Sequence, residues 1–311
     1  MTYFSGGKKK HKVHIYIIII VLALLMIGGL TAWIYVSHKK GQQTETDAAE
    51  LRDSLRKYFE QKNYLALIEK IDNELKNDPF SVEFLLYRGY SYFSLGEQEN
   101  DLQKKRTLFG SSLVDLRRTI AVGAPKKNLP NIYYCLGKIY YYFGEPYYRL
   151  SLMYLNRSAE LDAHKKDIHY MLGVVYANIG DYKKSAEAFK NSLKIEETDV
   201  LLMAIGTIYY KDGDYTNATA YLQRVVKITN NARIHEKALF MMGQMSYDTK
   251  KYSDALKYFQ QVLEINENNA NAHFYIGEIY LVFGDKIKAR SEWRRTLLID
   301  PGHIRALKRI Y

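Results

Sequence analysis

The 311-residue sequence predicts an all-α chain of stacked helix-turn-helix hairpins, and three observations predict it. First, one small pattern recurs. Gly173…Tyr176…Gly180…Tyr182…Ser185…Phe189 returns as Gly206…Tyr209…Gly213…Tyr215…Ala218…Leu222, as Gly243…Tyr252…Ala255…Phe259, and as Gly277…Tyr280…Gly284…Ala289…Trp293…Pro301. Second, the lead glycines stand 33, 37 and 34 residues apart, a period that marks a repeat array rather than separate globular domains. Third, apolar residues elsewhere keep a helical spacing, and no stretch alternates as a half-buried strand would.

The spacing has a physical reading. Leu172, Gly173 and Tyr176 fall on one face of a first helix. A lead glycine lets the second helix approach closely, at a propensity cost of about 1 kcal/mol. The second glycine (Gly180, Gly213, Gly284) stands where the first helix must end, in the left-handed conformation that glycine adopts freely. Small residues (Ser185, Ala218, Ala255, Ala289) then permit close packing, and Phe189, Leu222, Phe259 and Trp293 fill the space between repeats. One hairpin cannot bury its own apolar face, so at least three must stack.

Taken from the amino terminus, residues 1–12 form a polar tail ending in Lys8-Lys9-Lys10-His11-Lys12. Val13–Val36 is a run of 24 residues without Asp, Glu, Lys or Arg. As a helix it reaches ~36 Å, enough to cross a ~30 Å hydrocarbon core. Tyr16 at one end and Trp33 and Tyr35 at the other suit an aromatic belt. A cleaved signal peptide would want a shorter apolar region and a small-x-small site, but the residues two before Gly29 and Ala32 are Ile27 and Leu30. The expectation is therefore one uncleaved transmembrane helix over 13–36. Four lysines precede it and two, Lys39 and Lys40, follow it before the acids Glu45, Asp47 and Glu50, an asymmetry that orients the amino terminus to the cytoplasm and the rest across the membrane. Residues 37–47 read as a polar linker spanning roughly 20 Å.

The repeat region is expected over 48–303, with a capping helix over 304–311. Extending the period backwards adds three units, so that seven are led by Leu55, Gly89, Gly137, Gly173, Gly206, Gly243 and Gly277. Leu55 replaces glycine in the first. In the second, Gly96 matches the helix-ending glycine, and about fourteen extra residues follow, most within 97–111 between its two helices. That insertion is either a plain long loop or a specialised contact.

These residues and offsets resemble the tetratricopeptide repeat (TPR) family. The resemblance implies a right-handed superhelix whose concave face is lined by the first helix of each repeat. The family's groove-facing positions, carried over one residue at a time, give Leu86, Tyr90 and Phe93 in the second unit and Tyr134, Lys138, Tyr141 and Tyr142 in the third. They give Tyr170 and Asn178 in the fourth, and Met203, Tyr210 and Lys211 in the fifth. The sixth contributes Phe240, Gln244 and Tyr247, and the last Phe274 and Glu278. Many of the chain's 29 tyrosines fall on this face, and a rigid apolar ring with a hydrogen-bonding tip suits a surface that takes a peptide or a helix. The alternative for any one ring is simple packing between helices. The clamp by which some members grip chaperone carboxyl termini, Lys and Asn at two of these positions, is not recognisable.

The net charge of +11 is unevenly placed. Residues 1–40 hold six lysines and no acid, which leaves 39 Lys plus Arg against 34 Asp plus Glu, a net +5, for the remainder. That pattern argues for membrane topology and against a nucleic-acid partner, which wants a basic stripe on the folded domain. Basic pairs such as Arg294-Arg295 read as solvated faces. The single cysteine, Cys135, makes no intramolecular disulfide, and no HExxH, P-loop, GxSxG or Rossmann cluster is present. The expectation is a non-enzymatic scaffold without cofactor or metal, binding proteins and open to homo- or hetero-oligomers. The architecture looks like that of anchored periplasmic TPR proteins, among them the collar subunits of spirochaete flagella. A mitochondrial outer-membrane targeting receptor is the alternative.

Overall fold

The computed structural model describes Met26, Leu30, Thr31, residues 33–38, 49–162 and 166–310, with Lys166 described by its backbone alone. The expected transmembrane stretch 13–36, the tail before it and most of the linker lie largely outside these residues, as does Tyr311. Among the described residues no helix is long and apolar enough to cross a membrane, and none is in a strand.

From residue 49 the described chain is a succession of helices joined by short turns. Helix α1 covers 49–60 and pairs with α2 (Tyr64–Glu74). The second hairpin is α3 (Val82–Gln98) with α4 (Leu102–Val122), and the third is α5 (Leu129–Tyr142) with α6 (Tyr148–Leu161). Then come α7 (Lys166–Asn178) with α8 (Tyr182–Leu193), α9 (Asp199–Lys211) with α10 (Tyr215–Ile228), α11 (Ala232–Asp248) with α12 (Tyr252–Ile265), and α13 (Ala270–Val282) with α14 (Lys286–Ile299). A short α15 (Ile304–Ile310) follows. Each hairpin's second helix packs on the first helix of the next.

Six lead glycines explain how each hairpin closes. A Cβ placed on Gly89, Gly137, Gly173, Gly206, Gly243 or Gly277 would come within 2.6–2.9 Å of Leu116, Leu155, Phe189, Leu222, Phe259 or Trp293 respectively. Any side chain there would have to displace that facing residue from the space it fills. In the first unit Leu55 is itself fully buried with Leu67 and Ile71, so a leucine fills the contact that the others leave empty.

The turns follow equally local rules. Gly180, Gly213 and Gly284 have φ of 80°, 79° and 83°, the left-handed region where a Cβ is costly. The sixth unit lacks that glycine and places Lys250 there at φ 62°. The next residue but one begins the second helix, and Asp181, Asp214 and Asp285 cap it by accepting from the backbone N–H of Lys184, Asn217 and Lys288 at 3.0–3.1 Å. Hydrogen bonds hold all three carboxyls below the usual range, chiefly from the Lys184 side chain at Asp181 and from backbone N–H at the other two.

The insertion corrects the expectation in one respect. It is not a loop, because α3 runs through Gly96 to Gln98 and α4 begins at Leu102, so the extra residues lengthen both helices. Gly96 does not end its helix. It is buried, and the Phe109 ring lies 2.6 Å from where its Cβ would be. The tight connection is made by Glu99, whose Oε1 accepts from the N–H of Asn100 and Asp101, and by Asp101, which accepts from the N–H of Gln103 and Lys104.

Candidate protein-binding face

The first helices α3, α5, α7, α9, α11 and α13 carry the residues that the sequence assigned to a groove. Leu86, Tyr90, Phe93 and Glu97 follow one another at three- and four-residue steps along α3 and so share a face. Leu86 and Tyr90 line a cavity of about 610 Å³ with Phe59 of α1, Tyr87, and Pro125 and Lys127 from the connection before α5. Only the Tyr90 ring is offered to that cavity. Its hydroxyl is buried, and burial pushes it well above the usual phenol range.

The next unit continues the face with a cluster of rings around one cation. Lys138 pairs with Glu97 and sits 5.7 Å from the Phe93 ring centroid and 5.6 Å from that of Tyr134. Tyr142 is 44% exposed and stacks on Phe109 at 4.9 Å. Burial, and then the Glu97 carboxylate, push its hydroxyl up to about 12. The lengthened α4 joins this cluster, with Lys105 over the Tyr142 ring and Arg106 over Phe143. The insertion is thus a contact with the third unit, the second of the two readings left open by the sequence. Tyr141 stacks on Tyr148 at 5.9 Å, and Tyr170 packs on Phe189 at 5.5 Å.

Farther along, Tyr210 stacks on Tyr215, Tyr247 meets Tyr252 and Tyr275, and Phe240 meets edge-on both Phe259 and Tyr275, which stack on each other at 5.0 Å. Gln244 donates to the Tyr275 hydroxyl at 3.3 Å, and Arg305 donates to the same oxygen. Tyr275 is therefore the hub of this end of the face, and the position-by-position transfer missed it because it lies one residue past Phe274. Its signal in the sequence is an aromatic pair, Phe274-Tyr275, in the middle of α13.

The structure sorts the assigned residues by accessibility. Tyr134, Met203 and Phe274 are buried, so they pack between helices and offer little to a partner. Leu86, Tyr90, Phe93, Lys138, Tyr141, Tyr170, Tyr210, Phe240 and Tyr247 are half-buried, and Tyr142 is exposed. At the last unit the chain occupies its own face. Arg309 of α15 donates to both carboxylate oxygens of Glu278 at 2.8 and 2.5 Å, and Arg305 stacks 4.4 Å from the Phe274 ring centroid. Among the described residues, no group of three His, Cys, Asp or Glu side chains is arranged to hold a metal ion.

Comparison with known proteins agrees with this architecture. Three tetratricopeptide repeat family models match residues 167–199, 197–268 and 240–303. The TPR repeat-containing protein MJ1428 of Methanocaldococcus jannaschii is 29% identical over 136 residues, which is 43% of this chain but 23% of that protein's length. Among solved structures, the C-terminal part of a TPR repeat-containing protein from Cytophaga hutchinsonii superposes with a TM-score of 0.67 at 17% identity, covering 83% of this chain and 98% of that one. YrrB, described as a TPR protein with an unusual peptide-binding site, gives 0.50 at 23% identity over 62% of this chain and 96% of its own. MamA gives 0.51 at 16% identity over 58% and 96%. With hairpins closed on lead glycines from Gly89 to Gly277 and family models matching in succession over 167–303, the chain belongs to the tetratricopeptide repeat family.

Proposed function

We propose that this protein-interaction scaffold receives a peptide or helix of its partner along the first-helix face, between the α1–α3 cavity and Tyr247. The observation that carries this reading is the run of half-buried or exposed aromatic rings there: Tyr90, Phe93, Tyr141, Tyr142, Tyr170, Tyr210 and Tyr247. Such rings bring large contact area at little conformational cost, which is why they dominate binding surfaces. YrrB, similar in fold, is described as having an unusual peptide-binding site. We further propose that Val13–Val36 anchors the chain as a single pass, with the amino terminus cytoplasmic and the repeats in the periplasm beside the inner membrane. Support for that part is the uncharged 24-residue run and its lysine-rich leading flank. In this setting the scaffold assembles a cell-envelope complex concerned with secretion, chaperoning or the periplasmic flagellum, and performs no catalysis itself.

The test is co-purification from mildly solubilised membranes, comparing wild type with Tyr141→Ala/Tyr170→Ala at matched helicity and melting temperature. A bound partner should be lost from the variant. Retention of the same partner would remove the face from consideration. Protease protection of the repeats in intact cells checks the topology, and digestion from the cytoplasmic side would refute it.

A further inference from the structure

We propose that the first two turns of α11 form an acid-recognising end of the aromatic face, where a pair of cations takes aspartate or glutamate side chains of the partner segment. This rests on the first-helix face being the binding surface, and it adds the chemistry that one stretch of the partner must carry.

The site comes from the irregular step in the repeat. Gly206 and Gly243 stand 37 residues apart, against 33 and 34 for the steps on either side. Helices α7, α9 and α13 have 13 residues and begin at Lys166, Asp199 and Ala270, each seven residues before its lead glycine. Helix α11 has 17 and begins at Ala232, eleven before Gly243. All four end five residues past their glycine, so the additional turn of α11 lies at its amino-terminal end, over 232–235. That turn carries Arg233, from which Lys237, Phe240, Gln244 and Tyr247 follow at four- and three-residue steps. The two cations therefore extend the stripe whose later members already belong to the aromatic face.

Arg233 and Lys237 line a cavity of about 620 Å³ with Ile234 and Phe240, and with Asn266, Asn269 and Asn271 from the connection into α13. Its acid, Glu236, is already engaged, because Oε1 accepts from the Nδ2 groups of Asn266 and Asn269 at 3.0 and 2.7 Å. The cations are not. Both are exposed, and neither makes an ion pair among the described residues. Asn271 adds a neutral donor. The Ala306 N–H donates to His303 Nδ1 at 3.1 Å, so the ring proton sits on Nε2, and that N–H donates to Asn271 Oδ1 at 3.2 Å. The Asn271 amide is left with its Nδ2 hydrogens to offer the cavity it lines. No other unit carries a cation at the Lys237 position, where Ala49, Glu83, Asn131, Asp167, Val200 and Asn271 stand. The charge is thus a property of this unit and not a requirement of the repeat.

These groups select the occupant. Two cations one helical turn apart and an amide donor, beside apolar walls from Ile234 and Phe240, suit carboxylates carried on a segment that also has apolar side chains. A nucleic acid or an anionic bilayer wants a broad basic surface, whereas here two cations share their turn with Glu236. A partner segment whose apolar side chains rest on Tyr247 and Phe240 brings its next residues over Lys237 and Arg233. Its aspartates or glutamates accordingly stand at one end of its apolar stripe.

The experiment is fluorescence anisotropy with the full chain in phosphatidylcholine nanodiscs, empty nanodiscs serving as the blank. The probes are labelled synthetic peptides with leucines at i, i+4 and i+7, followed by two glutamates or, in a twin, two glutamines. The glutamate peptide is expected to bind roughly tenfold tighter (about 1.4 kcal/mol) than its twin. Arg233→Gln/Lys237→Gln should abolish that preference and leave the glutamine peptide's affinity unchanged, while Tyr247→Ala should weaken both peptides. Both cations are too exposed for their change to unfold the array, and an unaltered melting curve verifies this. Zero-length carbodiimide coupling should join the Lys237 amine to a glutamate of the peptide, and Lys237→Arg should keep the affinity but lose that product. Equal binding of the two peptides, both weakened by Tyr247→Ala, overturns acid recognition and leaves the aromatic face standing. A preference that survives Arg233→Gln/Lys237→Gln overturns it as well. Displacement of the glutamate peptide by phosphatidylserine vesicles from wild type but not from that variant would assign the cations to a membrane surface instead. Binding of neither peptide removes the face itself, and this inference with it.

Discussion

The second to fourth units and the fifth to seventh make the same close helical contact by different chemistry. In the former, a serine of the second helix donates to the carbonyl of the lead glycine: Ser112 to Gly89, Ser151 to Gly137 and Ser185 to Gly173, at 2.7–2.8 Å. In the latter the small residue is Ala218, Ala255 or Ala289, each fully buried, and the contact is apolar. The second unit goes further. Arg88 donates twice to Asp115, which is only 2% exposed, and once to Asp72, joining three helices through one guanidinium. Those bonds, above all to Asp115, raise the Arg88 pKa further. What the pair of regions teaches is that the repeat requires a small residue against a bare glycine, while the polarity of that residue is free so long as a hydroxyl finds an acceptor.

Breaking the polar half should have the largest effect. Asp115→Ala strands the Arg88 guanidinium with Asp72 alone and is expected to destabilise the chain by about 3–5 kcal/mol, the usual cost of an orphaned buried partner. Urea unfolding measures it, and a loss under 1 kcal/mol would show that Asp72 and water suffice.

A reciprocal exchange sharpens the comparison. Ser185 and Ala255 each lie twelve residues beyond their lead glycine. Ser185→Ala should cost about 1 kcal/mol, the net worth of one hydrogen bond. Ala255→Ser should be near neutral, because its hydroxyl can reach the Gly243 carbonyl as Ser185 reaches that of Gly173. A large loss from Ala255→Ser would mean that the two halves differ in helix spacing as well as in polarity.

The smallest expected effect concerns the one later turn closed without glycine. Lys250→Gly relieves a left-handed lysine at the expense of chain entropy and should stabilise by about 0.5 kcal/mol. Thermal melting is the check, and a destabilised variant would show that the lysine side chain makes up for its backbone strain.

Much of this architecture was legible from the sequence because the repeat rests on local rules. A glycine at a fixed offset permits close approach or a left-handed turn, an aspartate before a helix caps it, and a bulky side chain sixteen residues later, as at Phe189, Leu222, Phe259 and Trp293, fills the gap. Gly96 shows where that legibility ends. Its offset predicted a helix terminus, but Phe109 from the insertion packs against it and α3 continues, so a nonlocal contact overrides the local signal. The face residues divide in the same way. Their register follows from helical spacing, whereas Tyr134, Met203 and Phe274 are withdrawn from solvent by neighbours that the register does not specify.

By itself, then, the sequence determined the all-α class, the period and the residue types facing each neighbour, because these depend on spacing within one or two turns of helix. Tertiary structure alone decided that the insertion would lengthen a hairpin and brace the third unit, and that Arg305 and Arg309 would close the face at Phe274 and Glu278. Each of those outcomes depends on which side chains meet across separate helices, and burial and charge pairing are settled only when the helices are stacked.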